Sequence, residues 1–464
     1  MNERWTRVAI VAIAAGILAR VLWVLVIHPP YNFVFSDMGG YVDRAIRVAT
    51  AAEPARYDAF YPPGPHLLLA LPMILVGTGK TGLWLDAFLW TVLSSVIPFA
   101  LWRFCTLLLS ARAAALAAVF AALYPLFIVY SGYFLSETPA LAFLLLSLWA
   151  GYKAAGETDP RRALRLALVA GVCGGLAFMC RPQSILNLLI FVVPLVRVAT
   201  LRRRVVLPLA AGFAILFMAQ AAYDSVAAGR LTLSSENGGM TFFLGHCDVA
   251  TMAANDGATL AWTFAAPVAV QRGGGRNYVF NGVPVWEQSF YYQRGFDCIR
   301  EDGLGHVRLL LRSLVDMGAS TVPWPPSQEA GVRDFAGATN TFYTIALIAI
   351  VFFALTLVRR RRPYTAGVRI LLLNLAMVVP VALLFFGDPR FRISYDAFGL
   401  ALFAAVLSDP FEAVELDEGE QANGSETHAE GEASVDEAEA YAARSDRVEE
   451  NDEQPNAETN VTNT

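Results

Sequence analysis

The sequence predicts an all-α polytopic membrane protein: a bundle of about ten transmembrane helices, two large extracytoplasmic loops and an acidic C-terminal tail. Three observations carry that prediction. Of 464 residues, 56% are hydrophobic and 16% charged, whereas a soluble protein averages about 45–50% apolar and about 25% charged. The apolar residues gather in runs close to the roughly 20 residues that span a bilayer. The charge is also divided: residues 409–464 hold 18 acidic side chains against Arg444 and Arg447, so the tail carries −16 and residues 1–408 carry +11 of a total of −5. A water-soluble core could not hide so much apolar surface, which excludes an ordinary soluble enzyme.

Apolar runs lie at about 8–27, 83–105, 113–131, 135–154, 162–179, 184–199, 205–224, 341–358, 367–386 and 395–408. The first follows MNERWTR, has no small-residue cleavage site and holds Arg20 deep inside, so it reads as a retained helix with Met1 in the cytoplasm. A shorter run at 66–77 decides the orientation of everything after it. If it does not cross, Arg103, Arg112, Lys153, Arg161, Arg162, Arg165, Arg202–Arg204 and Arg359–Arg362 all face the cytoplasm, as the positive-inside rule favours. Counting it as a span turns all of them outward. At about twelve residues it is too short to cross and reads as a helix lying at the outer membrane face.

Both termini are therefore expected in the cytoplasm of a cell-membrane protein. The membrane domain covers 1–408, with outer loops at 28–82 and 225–340. The second loop is too long for a bare connector and should carry structure of its own. Its later part reads as helices with apolar and basic faces that rest on the membrane. From about Glu415 the tail at 409–464 has almost no aromatic or β-branched residues, so it cannot offset the entropy of ordering and is expected to be disordered. It either recruits a partner or keeps the C-terminus soluble.

Cys105, Cys173 and Cys180 fall within spans, where a thiol is usually a small buried hydrophobe. Cys247 and Cys298 share the second outer loop, in a compartment that is oxidising in most bacteria. They are a disulfide candidate, the alternative being two unpaired buried thiols.

The sequence contains no P-loop, GxSxG, HExxH or Rossmann fingerprint, and no metal-binding Cys/His spacing. Its chemistry-bearing residues cluster at one membrane face instead. In FSDMGGYVDRA, Ser36 can cap a helix that carries Asp37, Tyr41 and Arg44 at i, i+4 and i+7 on one face. A carboxylate there suits a general base, although an Asp at a helix start also complements the helix dipole. YDAFYPPGPHLLLALP, with His66, reads as an extended entry into the surface helix. In SGYFLSETPA, Glu137 directly precedes a span, where it could hold a metal, orient an acceptor or cap the helix.

Arg181 ends a span in MCRPQ, and FFGDPRFRISYDAFG places Asp388, Arg390, Arg392 and Tyr395 between the last two spans. Arginines on the outer side run against the cytoplasmic bias of positive charge, which points to an anion. Guanidinium suits phosphate through two parallel hydrogen bonds. Asp86, near the outer end of its span, could line a sugar site, and Arg20 either snorkels outward or helps to hold a phosphate.

These motifs, in this order, resemble the GT-C superfamily of membrane glycosyltransferases over about residues 8–408, particularly the branch of protein O-mannosyltransferases and the lipid A aminoarabinose transferase. The likeness rests on Asp37 with Tyr41, the YPPGPHLLLALP segment, the YPLFIVYSGYFLSE turn, CRPQ, LSSENGGMTFFLGH and GDPRFRISYDAF. It implies a GT-C-like bundle that passes a sugar, with inversion, from a polyprenyl-monophosphate donor to a lipid, glycan or protein acceptor at the extracytoplasmic face. Asp37 would be the base. Arg390, Arg181, Arg392 and Tyr395 would face the donor phosphate, with Tyr41, Arg44, Asp86, Glu137 and His66 as candidates for the acceptor and sugar site. Many relatives carry an Asp-Glu pair in the first loop. Here Met38 follows Asp37, which leaves a divalent metal on Asp37 and Glu137 open and no cofactor certain.

Two rival readings remain. A polymerase or ligase of diphosphate-linked glycans would also have many spans and a large outer loop. A transporter would show internal repeats and mid-membrane ion sites, which the sequence lacks. The basic runs sit beside spans and are explained by orientation, so no nucleic-acid role is expected.

Overall fold

The computed structural model describes residues 3–255, 261–265, 275–319, 330–359 and 365–408. The acidic tail lies outside them. Every apolar run of the sequence forms helix, and among the described residues six helices are long and apolar enough to cross a membrane: Glu3–Asn32, Lys80–Cys105, Pro160–Cys180, Ala199–Ala228, Ala366–Leu384 and Arg390–Ser408. The bent pair Ala111–Leu123 and Pro125–Gly132 makes a seventh if it counts as one span. The chain is thus a multi-pass membrane protein with fewer clear crossings than the expected ten. Ile185–Val196 has 12 residues, about 18 Å at 1.5 Å per residue, and falls short of a hydrocarbon core of about 30 Å. The run at 66–77 is the helix Gly64–Val76 of 13 residues, likewise too short to cross alone. Its exposed residues include Leu71, Ile74, Leu75 and Val76.

The bend at residue 124 follows from Pro125, which lacks an N–H and drives the residue before it out of the helical region. Tyr124 accordingly adopts φ −65°, ψ 117°. Breaking a helix inside the bundle leaves carbonyls unsatisfied, and Arg20 meets them. Its Nη1 donates to Ala122 O (2.8 Å) and Gly16 O (2.9 Å), its Nη2 to Ala121 O (3.3 Å), and its Nε to Ser94 Oγ (2.8 Å). Ser94 in turn donates to Phe127 O at 2.9 Å, beyond the break. The approach requires Gly16, where a Cβ would lie 2.7 Å from Ala122 O. Arg20 is fully buried, so it neither snorkels outward nor faces a phosphate. It is a cation set against the negative end of a helix.

The second loop departs from an all-α description. After the helix Gly238–His246 it forms a three-stranded sheet, β1 (Val249–Asn255), β2 (Ala261–Ala265) and β3 (Arg276–Phe280), in the order β2-β1-β3. β1 pairs antiparallel with β2 and parallel with β3. The helices Gln288–Asp302 and Leu304–Ala319 follow, as the later part of the loop led us to expect. Cys247 and Cys298 are bridged, Cα to Cα 5.4 Å, which joins the end of one helix to the middle of another. The loop is also tied to the first one. Glu236, fully buried, donates its N–H to Ala59 O (2.8 Å) and takes ion pairs from Arg56 (3.1 Å) and Arg230 (2.6 Å).

Candidate active site

The site is assembled from four separate parts of the chain. The helix Asp37–Ala49 begins after Ser36, which occupies the cap position without a side-chain capping bond, contrary to the expected Ser36 cap. Its φ of +48° is a conformation that L-residues rarely hold unless their surroundings enforce it. That turn presents Asp37 at the helix start. Tyr61 lies just before the double proline and meets all three residues of the expected face. Its hydroxyl donates to Asp37 Oδ1 at 2.8 Å, its ring packs 5.0 Å from the Tyr41 ring, and the Arg44 guanidinium sits 4.6 Å above it.

Arg390, in the first turn of Pro389–Ser408, donates from Nη1 to Asp37 Oδ2 at 2.5 Å and from Nε to Glu137 Oε1. Arg181 pairs with the same Glu137 oxygen at 2.7 Å. The result is an alternating chain, Asp37, Arg390, Glu137, Arg181, in which acid and base neutralise one another. The Glu137 side chain has no exposure, Arg181 and Arg390 have 7% and 12%, and Asp37 has 26%. The carboxylate proposed to do chemistry is therefore the most open member of the chain. Two local features hold the arginines. Asp388 Oδ1 accepts the Arg390 N–H at 2.8 Å. Gly64 lets the Tyr61–His66 segment press on the end of Pro160–Cys180, where a Cβ would lie 2.7 Å from Cys180 N, and Arg181 follows directly.

The other expected residues fall in different places. Tyr41 is buried, and that burial pushes its hydroxyl up to about 12, opposed by Arg390. Tyr395 is buried within electrostatic reach of Arg181. Asp86 is fully buried in Lys80–Cys105, with neither carboxyl oxygen bonded among the described residues. His66 Nε2 lies 3.0 Å from the Tyr223 hydroxyl, and burial, reinforced by Arg44, holds its imidazole well below the usual range.

Arg392 corrects the expectation of an Arg390–Arg392 pair. Two residues apart on a helix means about 200° of rotation. Arg392 accordingly points to the opposite side, where it pairs with Asp396 (3.0 Å), donates to Met317 O (3.1 Å) and stacks on Tyr343 (4.3 Å). Asp396 also accepts from Tyr124 at 2.7 Å, so this second network braces the bundle near the helix break.

A divalent metal on Asp37 and Glu137 fits poorly. Both carboxylates already bond the Arg390 guanidinium that lies between them. Among the described residues no group of three or more His, Cys, Asp or Glu side chains converges as a metal would need.

Residues 61–223 match the family model described as dolichyl-phosphate-mannose-protein mannosyltransferase. That match covers part of the chain and accords with the resemblance to GT-C glycosyltransferases read from the motifs. The matched stretch contains Tyr61, Glu137 and Arg181, while Asp37 and Arg390 lie on either side of it. Among solved structures the chain is similar to the oligosaccharyltransferase AglB of Archaeoglobus fulgidus, in complex with an inhibitory peptide and a dolichol-phosphate, at 15% identity and a TM-score of 0.44 over 89% of this chain and 52% of that one. It is also similar to ArnT of Cupriavidus metallidurans bound to undecaprenyl phosphate, at 13% identity and a TM-score of 0.39 over 88% of this chain and 78% of that one. The chain spans about half the length of the archaeal enzyme. No curated protein matches it in sequence.

Proposed function

We propose that this protein is a glycosyltransferase that takes a sugar from a polyprenyl-monophosphate donor and passes it, with inversion, to a hydroxyl of an acceptor at the extracytoplasmic face. The observation that carries this reading is the pair of bonds on Asp37. Tyr61 fixes one oxygen and Arg390 the other, so the carboxylate is held in one orientation while part of it stays open. In the reaction the acceptor oxygen attacks C1 of the sugar and its proton passes to Asp37. The bond from C1 to the phosphate oxygen breaks, and its electron pair leaves with the lipid phosphate.

Charge therefore grows on the phosphate in the transition state, and preset cations lower the barrier most when they are aimed there. Arg390 and Arg181 are those cations. Glu137 spaces them and offsets their charge while no phosphate is bound. A lipid donor also suits the setting, since a polyprenyl chain dissolves in the bilayer and delivers its sugar phosphate to the membrane surface.

The experiment is to supply purified protein with a polyprenyl-monophosphate sugar of known anomeric configuration and read the product anomer by NMR. Inversion supports one direct displacement with Asp37 as base. Retention of configuration, or transfer only from diphosphate-linked donors, overturns the reading.

A further inference from the structure

Arg44 is a fully buried cation with no ion pair among the described residues. Its Nε donates to Tyr57 O (2.9 Å) and its Nη1 to Gly40 O (2.7 Å), and it is stacked 3.7 Å from the Tyr57 ring. Its Nη2 is buried and bonds nothing. The acids nearby are engaged elsewhere: Asp58 is paired with Arg47 at 2.9 Å, Asp43 accepts from Tyr57, and Asp37 lies beyond Tyr61. Two carbonyls and two ring faces stabilise a guanidinium, but they leave its charge unbalanced. A buried, unbalanced charge is costly.

His66, on the helix Gly64–Val76 that packs against Asp37–Ala49, adds a second unbonded atom. Its ring is fully buried and its Nδ1 has no partner. The tautomer with the proton on Nδ1 lets Tyr223 donate into Nε2 and turns Nδ1 into a donor. Two buried, unsatisfied donors, one of them permanently charged, thus lie on packed helices within electrostatic reach of each other, and the Tyr61 ring separates Arg44 from Asp37.

We propose that Arg44 and His66 bind an anionic oxygen group, a carboxylate or a phosphate, carried by the acceptor. Its placement relative to the transferred hydroxyl rests on the reading of Asp37 as base. The site is distinct from the donor-phosphate arginines, because Tyr61 and Asp37 stand between Arg44 and Arg390.

The test is thermal unfolding of the purified full chain in detergent, titrated with sodium phosphate and with sodium acetate against sodium chloride at matched ionic strength, with and without saturating undecaprenyl phosphate. We expect a saturable rise of roughly 2 °C or more for at least one anion. It should persist with undecaprenyl phosphate bound, be lost in Arg44→Gln, and need at least about threefold more anion in His66→Gln. Should Arg44→Gln fail to fold, His66→Gln decides the attribution.

The proposal is overturned by the lack of a saturable rise in wild type, by a rise that undecaprenyl phosphate abolishes, or by one indifferent to the substitutions. Asp37→Asn should keep the rise. Turnover by that variant would defeat the base assignment alone, and the anion site would still stand or fall on the titration.

Discussion

Arg390 bonds Asp37 and Glu137 at once, with its Nη1 2.5 Å from the Asp37 carboxylate. The three residues stand in the first turns of three helices, Asp37–Ala49, Glu137–Ala155 and Pro389–Ser408. One guanidinium thus fixes the relative position of the proposed base and the proposed phosphate site. Positioning of this kind is worth large factors in rate, because small displacements of reacting groups are expensive.

Replacing Arg390 should therefore do more than remove a charge. Arg390→Lys keeps the charge but cannot hold two carboxylates through a planar fork. The expected outcome is a roughly 10- to 100-fold loss in kcat/KM for the lipid donor, about 1.4–2.8 kcal/mol. Steady-state kinetics with a varied donor concentration checks it. Wild-type kinetics in this variant would show that the fork geometry has no role.

Tyr61→Phe removes the hydrogen bond that fixes one oxygen of Asp37. A roughly 3- to 10-fold fall in kcat/KM is expected, about 0.7–1.4 kcal/mol, with the fold intact because the ring is retained. Kinetics and an unfolding midpoint both equal to wild type would show that Tyr61 does not position Asp37.

Arg20→Met should destabilise the bundle without touching the site directly. The substitution leaves the carbonyls of Ala121 and Ala122 and the Ser94 hydroxyl short of a donor, at about 1–3 kcal/mol for each buried group left unsatisfied. A clear fall in the detergent unfolding midpoint is expected, while the donor KM of protein that remains folded stays close to wild type. An unchanged midpoint, or a selective loss of donor binding, would contradict the structural role.

His246 and His306 give a pH dependence in the second loop. His246 Nδ1 lies 3.2 Å from His306 Nε2. Burial and then His306 push the His246 imidazole down to about 4, and burial also lowers His306 against the opposing charge of Asp302. A depressed value means that below about pH 6.5 the unfolded chain binds protons that the folded one refuses. The stabilisation is therefore present above pH 6.5 and is lost as the pH falls toward 4, by up to about 2–3 kcal/mol. Hydrogen exchange in Gly238–His246 should rise across that window in wild type and much less in His246→Phe. Equal acid sensitivity in both proteins would count against the pair.

Much of this was legible in the sequence. Apolar runs mark helices because a bilayer requires every backbone group to be satisfied within the segment, and spacing by 4 and 7 put Asp37, Tyr41 and Arg44 on one face. Cys247 and Cys298 stood out as the pair sharing one loop. Arg392 was misplaced beside Arg390 although helical rotation alone separates them. Tyr61 sits in a segment that reads as an extended entry into a helix, and its only signal is an aromatic ring directly before two prolines. The partners of Arg20 depend on where a neighbouring helix breaks. Pro125 marks that break, but nothing in the sequence says that Arg20 lies opposite it. The parallel pairing of β1 with β3 joins strands separated by β2, and local pattern does not reveal it.

The proposed role of Asp37 is to take the acceptor proton during transfer from a polyprenyl-monophosphate sugar. Its most direct test is the consumption of radiolabelled polyprenyl-monophosphate sugars by purified wild type and by Asp37→Asn, which keeps the shape of the side chain. Wild type should consume at least one donor of the panel. Asp37→Asn, equally folded, should be slower by a factor of about 10² to 10⁴. Turnover by Asp37→Asn within a few-fold of wild type would contradict the account.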